Sequence, residues 1–149
     1  MKIRGFEKIS AYQTSAVTMP QRKTVHSAGY DIAALDDVVL LPGQVTLIAT
    51  GLKAYMKEDE YLGIHIRSGL AVKHRLTLIN SQGIIDADYY NNTSNEGHIM
   101  LAVYNHGSDA VPISRNTRVA QGIFCKFLCA DDDENRTIRE GGLGSTGQI

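Results

Sequence analysis

The sequence has few of the features that mark disulfide-bonded or nucleic-acid-coating proteins. Its only two cysteines are Cys125 and Cys129. In an extended strand such a pair lies about 13 Å apart, beyond the roughly 7 Å that a disulfide can bridge, so we expect packing residues in a reducing compartment. The net charge of -1 and the sequence pI near 6.5 provide no basic field for nucleic acid or an anionic membrane.

Signals for a membrane span, a leader peptide or a metal held directly by histidine are also absent. No apolar run approaches the roughly 20 residues that a membrane span needs, and the first residues show no charged-then-apolar leader. The five histidines have no metal-ligand spacing with one another or with the cysteines. We therefore expect a soluble, cytoplasmic protein with no nucleic-acid or membrane partner, which meets any anionic ligand with a few placed arginines.

The chain instead shows an all-β pattern, in a length that suits one domain. Its 149 residues, 43% of them apolar, suffice for a single core. Alternating apolar residues and turn clusters predict strands at residues 38–41, 45–49, 61–66, 99–104 and 118–128. The first two of these are expected to form one pair through the turn at Pro42 and Gly43.

Residues 76–90 carry the most chemistry. Two apolar segments flank residues 80–82, a turn-forming cluster followed by Gly83, which predicts a β-hairpin. Its second arm places Asp86 and Asp88 just before Tyr89 and Tyr90. Such a tip can line a pocket, yet an amphipathic strand with two solvated aspartates is an equally open alternative. Period-two alternation puts Asp86 and Tyr89 on opposite faces, so a shared pocket requires the strand to bend or end near Asp88.

A short helix is predicted at residues 69–76, with Ser68 as its cap. The start of such a helix offers unpaired amides and positive potential, so Arg67, Ser68 and Gly69 together could hold an anion. An ordinary capped turn is the alternative.

The last residues differ in character from the rest of the chain. Residues 131–134 form an acidic, solvated linker, and residues 139–149 form a glycine-rich arm that we expect to be mobile. Residues 142–147 match the letters of a dinucleotide fingerprint, but no helix and no βαβ unit can accompany them. The arm is therefore interpreted as a strip whose amides and hydroxyls could wrap phosphates, with Arg139 adding charge.

Five segments of distinctive composition follow one another along the chain: AGYDIAA (28–34), RSGLA (67–71), NSQGIIDADY (80–89), RVAQGIF (118–124) and GGLGSTG (141–147). In this order they resemble the five motifs of the trimeric dUTPase family. The resemblance implies a single jelly-roll-like β domain over residues 1–149 and a homotrimer whose three active sites each take parts of all three chains. It also implies a reaction in which dUTP and water give dUMP and pyrophosphate, with Mg²⁺ holding the triphosphate.

The resemblance assigns the reacting residues one at a time. Asp86 falls on the catalytic carboxylate that activates the attacking water, a role that suits a group ionised at neutral pH. Asn80 and Gly83 match the uracil-binding residues, and Tyr89 matches the residue beneath deoxyribose. The phosphate contacts fall on Arg67, Ser68, Gly69 and Gln121, and in the arm on Arg139, Gly144, Ser145 and Thr146. Asp31 matches a residue that supports hydrated Mg²⁺, and Arg118 is expected to pair with Asp88.

Three departures from the family pattern concern the active site. Leu143 stands where the family usually has a phenylalanine that closes over uracil, and Arg139 lies one place closer to the double glycine than usual. Residues 90–96 are an insertion before Gly97. We hypothesise that Tyr90 or the inserted loop partly replaces the missing lid, and that the insertion offers a surface to a protein partner.

Other functions remain to be separated from dUTP hydrolysis. A dCTP deaminase has a related subunit and would release ammonia rather than pyrophosphate. A nucleotide-sensing regulatory protein would bind without turnover, and a structural β-trimer would have no use for a nucleotide pocket.

Overall fold

The computed structural model describes residues 1–144. Eleven strands and one α-helix lie in that part of the chain: β1 Gly5–Lys8, β2 Tyr30–Ala33, β3 Val38–Leu40, β4 Val45–Ala49, β5 Leu52–Tyr55, β6 Glu60–Ile66, α1 Ser68–His74, β7 Leu76–Leu78, β8 Gly83–Asp86, β9 Met100–Asn105, β10 Val111–Ile113 and β11 Arg118–Lys126. Two single-turn 3₁₀ helices, Ser10–Tyr12 and Ala87–Tyr89, interrupt the loops. The predicted all-β class is confirmed. None of the helices in residues 1–144 has the length and apolarity to cross a membrane.

The strands form a jelly-roll-like arrangement of antiparallel sheets around one core. The larger sheet has the order β2-β11-β6-β8, and a second has the order β4-β9-β7. Two short pairs, β1 with β5 and β10 with β3, extend the layers. Both main sheets contribute buried aliphatic side chains to the core, among them Leu62 and Val119 from the first and Leu101 and Val103 from the second. Removing this apolar surface from water is the main favourable term in folding.

Two predicted strand pairings are wrong. β3 pairs with β10 and β4 with β9, so the segments on either side of Pro42 and Gly43 do not pair with each other. Likewise β7 pairs with β9 and β8 with β6. The turn at residues 80–82 therefore joins the two main sheets rather than the arms of a hairpin.

The cysteines are unpaired, as expected, but they differ in environment. Cys125 is half-buried on β11, whereas Cys129 lies exposed beyond the end of that strand. The expectation that both are packing residues is therefore wrong for Cys129.

Candidate active site

β8 delivers an exposed carboxylate to the edge of the larger sheet. Asp86 is the last residue of β8 and aligns with Tyr61 on β6. The 3₁₀ helix Ala87–Tyr89 then redirects the chain, so that Tyr89 is buried while Asp86 and Asp88 stay exposed. The expectation that the strand ends near Asp88 is thus confirmed. A regular strand would direct Asp86 and Tyr89 to opposite faces, but the change of backbone conformation lets both line the same cavity.

Arg139 binds both carboxylates. Its Nη2 donates to Asp86 Oδ2 at 2.6 Å and its Nε donates to Asp88 Oδ1 at 2.8 Å. The guanidinium carbon lies 5.8 Å from the centre of the Tyr89 ring, and the Arg139 side chain is only 9% exposed. Charge-assisted bonds of this geometry fix the direction as well as the position of the donor. The arm of this chain is therefore held against its own acidic pair.

The predicted pair between Arg118 and Asp88 is wrong. Asp88 binds Arg139, and Arg118 Nη1 instead lies 3.2 Å from Asp31 Oδ2. The partner of Asp86 and Asp88 is Arg139 in the arm. No periodic pattern in the sequence indicates where the arm lies.

Two cavities open on either side of Asp86. A cavity of about 150 Å³ is lined by Ile84, Ile85, Asp86, Tyr89, Met100, Arg139, Gly142, Leu143 and Gly144. A wider groove of about 660 Å³ is lined by Met56, Glu58, Asp86, Ala87, Asp88, Phe127, Asn135, Thr137, Ile138 and Arg139. Sequence reasoning missed Phe127, which is 42% exposed, because a lone aromatic after a strand carries no motif. Leu143, 66% exposed, forms part of the smaller cavity's rim.

A second charged cluster surrounds Asp31 on β2. Asp31 Oδ1 lies 3.4 Å from Arg67 Nε, and the Asp31 side chain is 13% exposed. Gln121 aligns with Asp31 on the neighbouring strand β11. The Gln121 side-chain amide packs so closely on Gly29 that any β-carbon at that position would collide with it. The first and fourth motifs therefore meet in this cluster.

The second motif begins α1 beside this cluster, but not as predicted. Arg67 occupies the N-cap position in an extended conformation, and no side chain caps the helix. The prediction that Ser68 caps the helix is therefore wrong. Ser68 and Gly69 are exposed at its first turn, and no β-carbon on Gly69 would meet a neighbour.

The turn that follows β7 presents exposed backbone next to β8. Asn80 is exposed, and Ser81 adopts a positive φ of 65°. The Gln82 amide donates to the Asn80 carbonyl at 2.7 Å. A β-carbon at Gly83 would lie 3.3 Å from Ile64 Cβ, so a larger residue would require Ile64 to shift by a few tenths of an ångström.

The Asp86 site and the Asp31 cluster lie far apart in one chain. Asp31 and Asp86 are on strands separated by three spacings in the order β2-β11-β6-β8. They are also offset along the strand direction. Asp31 aligns with Gln121, which aligns with His65 on β6, whereas Asp86 aligns with Tyr61 on β6. Spacings of about 4.8 Å between strands and 3.3 Å per residue then give a separation on the order of 15–20 Å. Within one chain the Asp86 site and the Asp31 cluster are therefore two separate groups of residues, which we call half-sites.

The insertion folds onto the body of the chain. Lys53 Nζ donates to Asn91 Oδ1 at 2.6 Å and to Glu96 Oε1 at 2.7 Å. The Tyr90 hydroxyl donates to Glu7 Oε2 at 2.8 Å, and its ring packs against Tyr55. Tyr90 therefore lies toward β1 and β5 and is not among the residues that line the smaller cavity. That part of the lid hypothesis finds no support in the described chain, and the protein-partner hypothesis remains a prediction.

We expect the Glu96 anchor to make stability depend on acid pH. The Lys53 ammonium, aided by the Ser10 hydroxyl and amide, lowers the pKa of Glu96 to about 2. Because the folded-state pKa lies below the ordinary value of 4.5, the contribution is fully present above that value and is lost as pH falls toward 2. Melting temperatures of wild type and Glu96→Gln should differ at pH 7, and the difference should shrink as pH falls below 4.5 and vanish near pH 2.

A matched control for this titration is Glu134→Gln, because Glu134 is an exposed carboxylate in the acidic linker. We expect no difference in melting temperature between that variant and wild type at any pH. A gap between wild type and Glu96→Gln that stays constant down to pH 2.5 would show that the ion pair does not stabilise the fold.

Residues 1–144 contain no group of three or more histidine, cysteine or acidic side chains able to hold a metal directly. Both Asp31 oxygens face guanidinium groups, and Asp86 and Asp88 bind Arg139. Mg²⁺ keeps several waters and takes ligands from substrate phosphates. The lack of a direct ligand group among residues 1–144 is therefore no objection to a magnesium ion that is contacted through water.

A jelly-roll-like β subunit with an exposed carboxylate, an arginine-bearing arm and a distant basic cluster has the groups that a nucleotide-hydrolysing protein needs, namely a base and cations for phosphate. The sequence model of the dUTPase family matches residues 15–147. The chain belongs to the dUTPase family and is an enzyme of dUTP hydrolysis, which confirms the resemblance seen in the five motifs.

Individual relatives agree with this assignment. The deoxyuridine 5'-triphosphate nucleotidohydrolase of Lactococcus lactis is 50% identical over 149 residues, covering 99% of each chain. The crystal structure of dUTPase from Streptococcus mutans is 42% identical, covers 85% of this chain and 98% of its own, and has a TM-score of 0.80. A dUTPase mutant from phage phi11 of S. aureus, described as coordinating a structural Mg(II) ion, shares the fold at 18% identity and a TM-score of 0.73, with coverage of 92% and 99%.

Proposed function

We propose that the protein hydrolyses dUTP to dUMP and pyrophosphate through a water molecule that Asp86 orients and deprotonates for attack on the α-phosphorus. The observation that carries the proposal is the position of Asp86, an exposed carboxylate between two cavities and within 2.6 Å of the arm's Arg139. An ionised carboxylate can accept the proton that water loses as the new P–O bond forms. The pyrophosphate leaves as the α–β bridging P–O bond breaks.

Substrate would rearrange the contacts of Arg139. The phosphate chain competes with the two carboxylates for the guanidinium, because phosphate oxygens accept the same forked bonds. Once Arg139 turns toward phosphate, the Asp86 oxygens become free to bind water. The arm then both neutralises substrate charge and uncovers the base.

The base and sugar would bind along β8 and its preceding turn. The backbone at Asn80 and Gly83 can pair with the carbonyl and N–H groups of uracil, and a tight wall at this turn would leave no room for the methyl group of thymine. The buried Tyr89 ring would lie beneath deoxyribose. A 2′-hydroxyl there would be crowded and unpaired, which is costly.

The phosphates would also need the Asp31 cluster of another chain. Arg67, Ser68, Gly69 and Gln121 supply the cation, hydroxyl and amides for phosphate oxygens. Asp31 would accept hydrogen bonds from waters on the Mg²⁺ that the substrate carries. Since the two half-sites of one chain lie on the order of 15–20 Å apart, we infer a homotrimer in which a neighbour completes each site.

The end of the arm would close over the bound nucleotide. Gly144 lines the smaller cavity with a positive φ of 72°, whereas the predicted phosphate contacts Ser145 and Thr146 lie outside the described residues. We propose that all three add amide or hydroxyl donors to the phosphate chain. We also propose that residues 1–149 form one catalytic domain, in which residues 131–149 are the linker and arm.

A substrate panel tests this function directly. We expect pyrophosphate release from dUTP with Mg²⁺, at least about 100-fold lower kcat/KM with dTTP, dCTP and UTP, and a large loss of turnover when EDTA removes the metal. Released pyrophosphate and ammonia are measured in the same reactions. Equal turnover of dTTP would contradict the pocket, ammonia release would indicate a deaminase, and nucleotide binding without turnover would indicate a sensor.

A further inference from the structure

The insertion places Asn95 between Tyr89 and the arm. We propose that Asn95 is a positioning residue that fixes the Tyr89 ring and forms the seat on which Gly142 docks, so that the loop, rather than an aromatic lid, holds the arm closed. The part that concerns catalysis rests on the function proposed above. Arm docking itself can be tested without any nucleotide.

Every polar atom of the Asn95 side chain is engaged. Its Nδ2 donates to the Tyr89 hydroxyl at 2.8 Å. Its Oδ1 accepts from Asn92 Nδ2 at 2.8 Å and from the Gly97 amide at 3.0 Å. Because Oδ1 receives two donors, only Nδ2 can face the phenol oxygen, which fixes the orientation of the amide.

Asn92 fixes the position of Asn95 through hydrogen bonds. Asn92 is buried, its Oδ1 accepts from the amides of Ser94 and Asn95 at 3.0 and 3.1 Å, and its Nδ2 also donates to the Tyr89 carbonyl at 2.8 Å. The loop is therefore a closed network around Tyr89 with little freedom to shift. A satisfied polar network of this kind specifies one arrangement.

Tyr89 is fixed at its hydroxyl end by this network. The hydroxyl donates to the His98 carbonyl at 2.9 Å and accepts from Asn95, and the residue is only 6% exposed. Both bonds restrain rotation of the phenol, so the ring keeps one direction beside Arg139. The proposed contact with deoxyribose depends on that direction.

Gly142 approaches the Asn95 amide closely. A β-carbon at this position would lie 2.8, 2.9 and 2.9 Å from Asn95 Cγ, Nδ2 and Oδ1. Asn95 cannot move aside without breaking its bonds, so glycine is required here by lack of space. The Thr93 hydroxyl donates to the Glu140 carbonyl two residues earlier in the arm. The loop thus contacts the arm at two points.

These contacts help to hold an arm that has no aromatic residue at its tip among residues 139–144. Leu143 is 66% exposed beside the cavity and buries too little surface to hold the arm. Contacts of the arm with Thr93 and Asn95 therefore add to the Arg139 bonds and keep Arg139 directed at Asp86 and Asp88. Loss of the Asn95 seat should release the arm without disturbing the β-sheets.

Limited trypsin digestion without nucleotide measures arm release. Trypsin can cut after Arg139, whose side chain is 9% exposed, and after Arg136, which is exposed in the docked arm. We expect Asn95→Ala and Gly142→Ala each to speed cleavage after Arg139 by about tenfold relative to cleavage after Arg136, because cleavage follows the population of the open form. In the double variant the ratio of cleavage after Arg139 to cleavage after Arg136 should be only slightly higher than in either single variant. Both substitutions disrupt the same contact, between Asn95 and Gly142.

Asn91→Gly is the matched control, since Asn91 lies in the same loop, binds Lys53 instead of the arm, and has a positive φ of 57° that glycine adopts without strain. We expect it to leave the Arg139 to Arg136 cleavage ratio unchanged. An unchanged ratio in both Asn95→Ala and Gly142→Ala, or an equal rise in Asn91→Gly, would overturn the proposal. Gly142→Ala keeps the test valid if Asn95→Ala disturbs the loop, because its substitution lies outside the loop.

Kinetics test the link to catalysis. Asn95→Ala should raise the KM for dUTP about tenfold while kcat falls less, and should reduce the kcat/KM preference for dUTP over UTP several-fold. Gly142→Ala should raise KM but keep that preference, because it leaves the Tyr89 bonds intact. Unchanged preference in Asn95→Ala would contradict the positioning of Tyr89. If wild type fails to hydrolyse dUTP, the proposed function fails, and the digestion ratios still decide arm docking.

Discussion

Asp86→Asn is expected to lower kcat for pyrophosphate release from dUTP by about 100-fold to 10,000-fold, the usual contribution of a positioned general base. Asparagine keeps the size of the side chain and can still accept a hydrogen bond from water, but it cannot take the proton. The KM should change little, because the amide retains the shape of the site. Initial rates at saturating Mg²⁺ and dUTP measure the effect.

Asp88→Asn is the matched control for this substitution. Asp88 lies two residues away, its side chain is 58% exposed against 53% for Asp86, and Arg139 binds it at 2.8 Å against 2.6 Å. Both variants remove one negative charge and one bond to the arm. A loss confined to Asp86→Asn therefore identifies the base, whereas equal losses would mean that the carboxylates act only by holding Arg139.

Sequence patterns predicted seven of the eleven strands but not which segments pair, and they missed β1, β2, β5 and β10, each of which has only three or four residues. Residues 76–78 and 83–86 are strands as predicted, yet β7 and β8 lie in different sheets. Alternation of apolar and polar residues indicates a half-buried strand but does not indicate which strand it pairs with. The pairing depends on how segments distant in sequence pack together. The sequence predicted a bend or an end near Asp88, because a regular strand would put Asp86 and Tyr89 on opposite faces, and β8 ends two residues earlier, at Asp86.

The charged contacts show the same limit. Arg118 and Asp88 were both correctly seen as needing partners, but Arg118 binds Asp31 and Asp88 binds Arg139. Residues 127–144 contain no helix or strand, and an irregular segment has no period from which its path can be inferred. Asn95 was missed for the same reason, although its place in an insertion just after Tyr89 was a signal that it lies at the site.

Mixing two inactive variants should restore activity if the half-sites come from different chains. Asp86→Asn removes the base and Arg67→Gln removes a phosphate contact in the distant cluster. We expect Arg67→Gln to lose on the order of 100-fold in kcat/KM, as removal of one charge-stabilising donor does. Arg67 is a tolerable choice for folding because its side chain is 36% exposed and Arg118 still pairs with Asp31.

Chains of the two variants, assembled together at a ratio of one to one, should give about a quarter of the wild-type activity, because random closed assembly places two intact half-sites together in about one site in four. Pure assemblies of each variant, combined only afterwards, serve as the control and should show no recovery unless chains exchange. Recovery would show that Asp86 and Arg67 act from different chains, as predicted by the homotrimer proposed from their separation on the order of 15–20 Å within one chain. A co-assembled mixture no more active than the average of its parents would contradict this, because it would mean that each chain completes its own site by a rearrangement of the larger sheet.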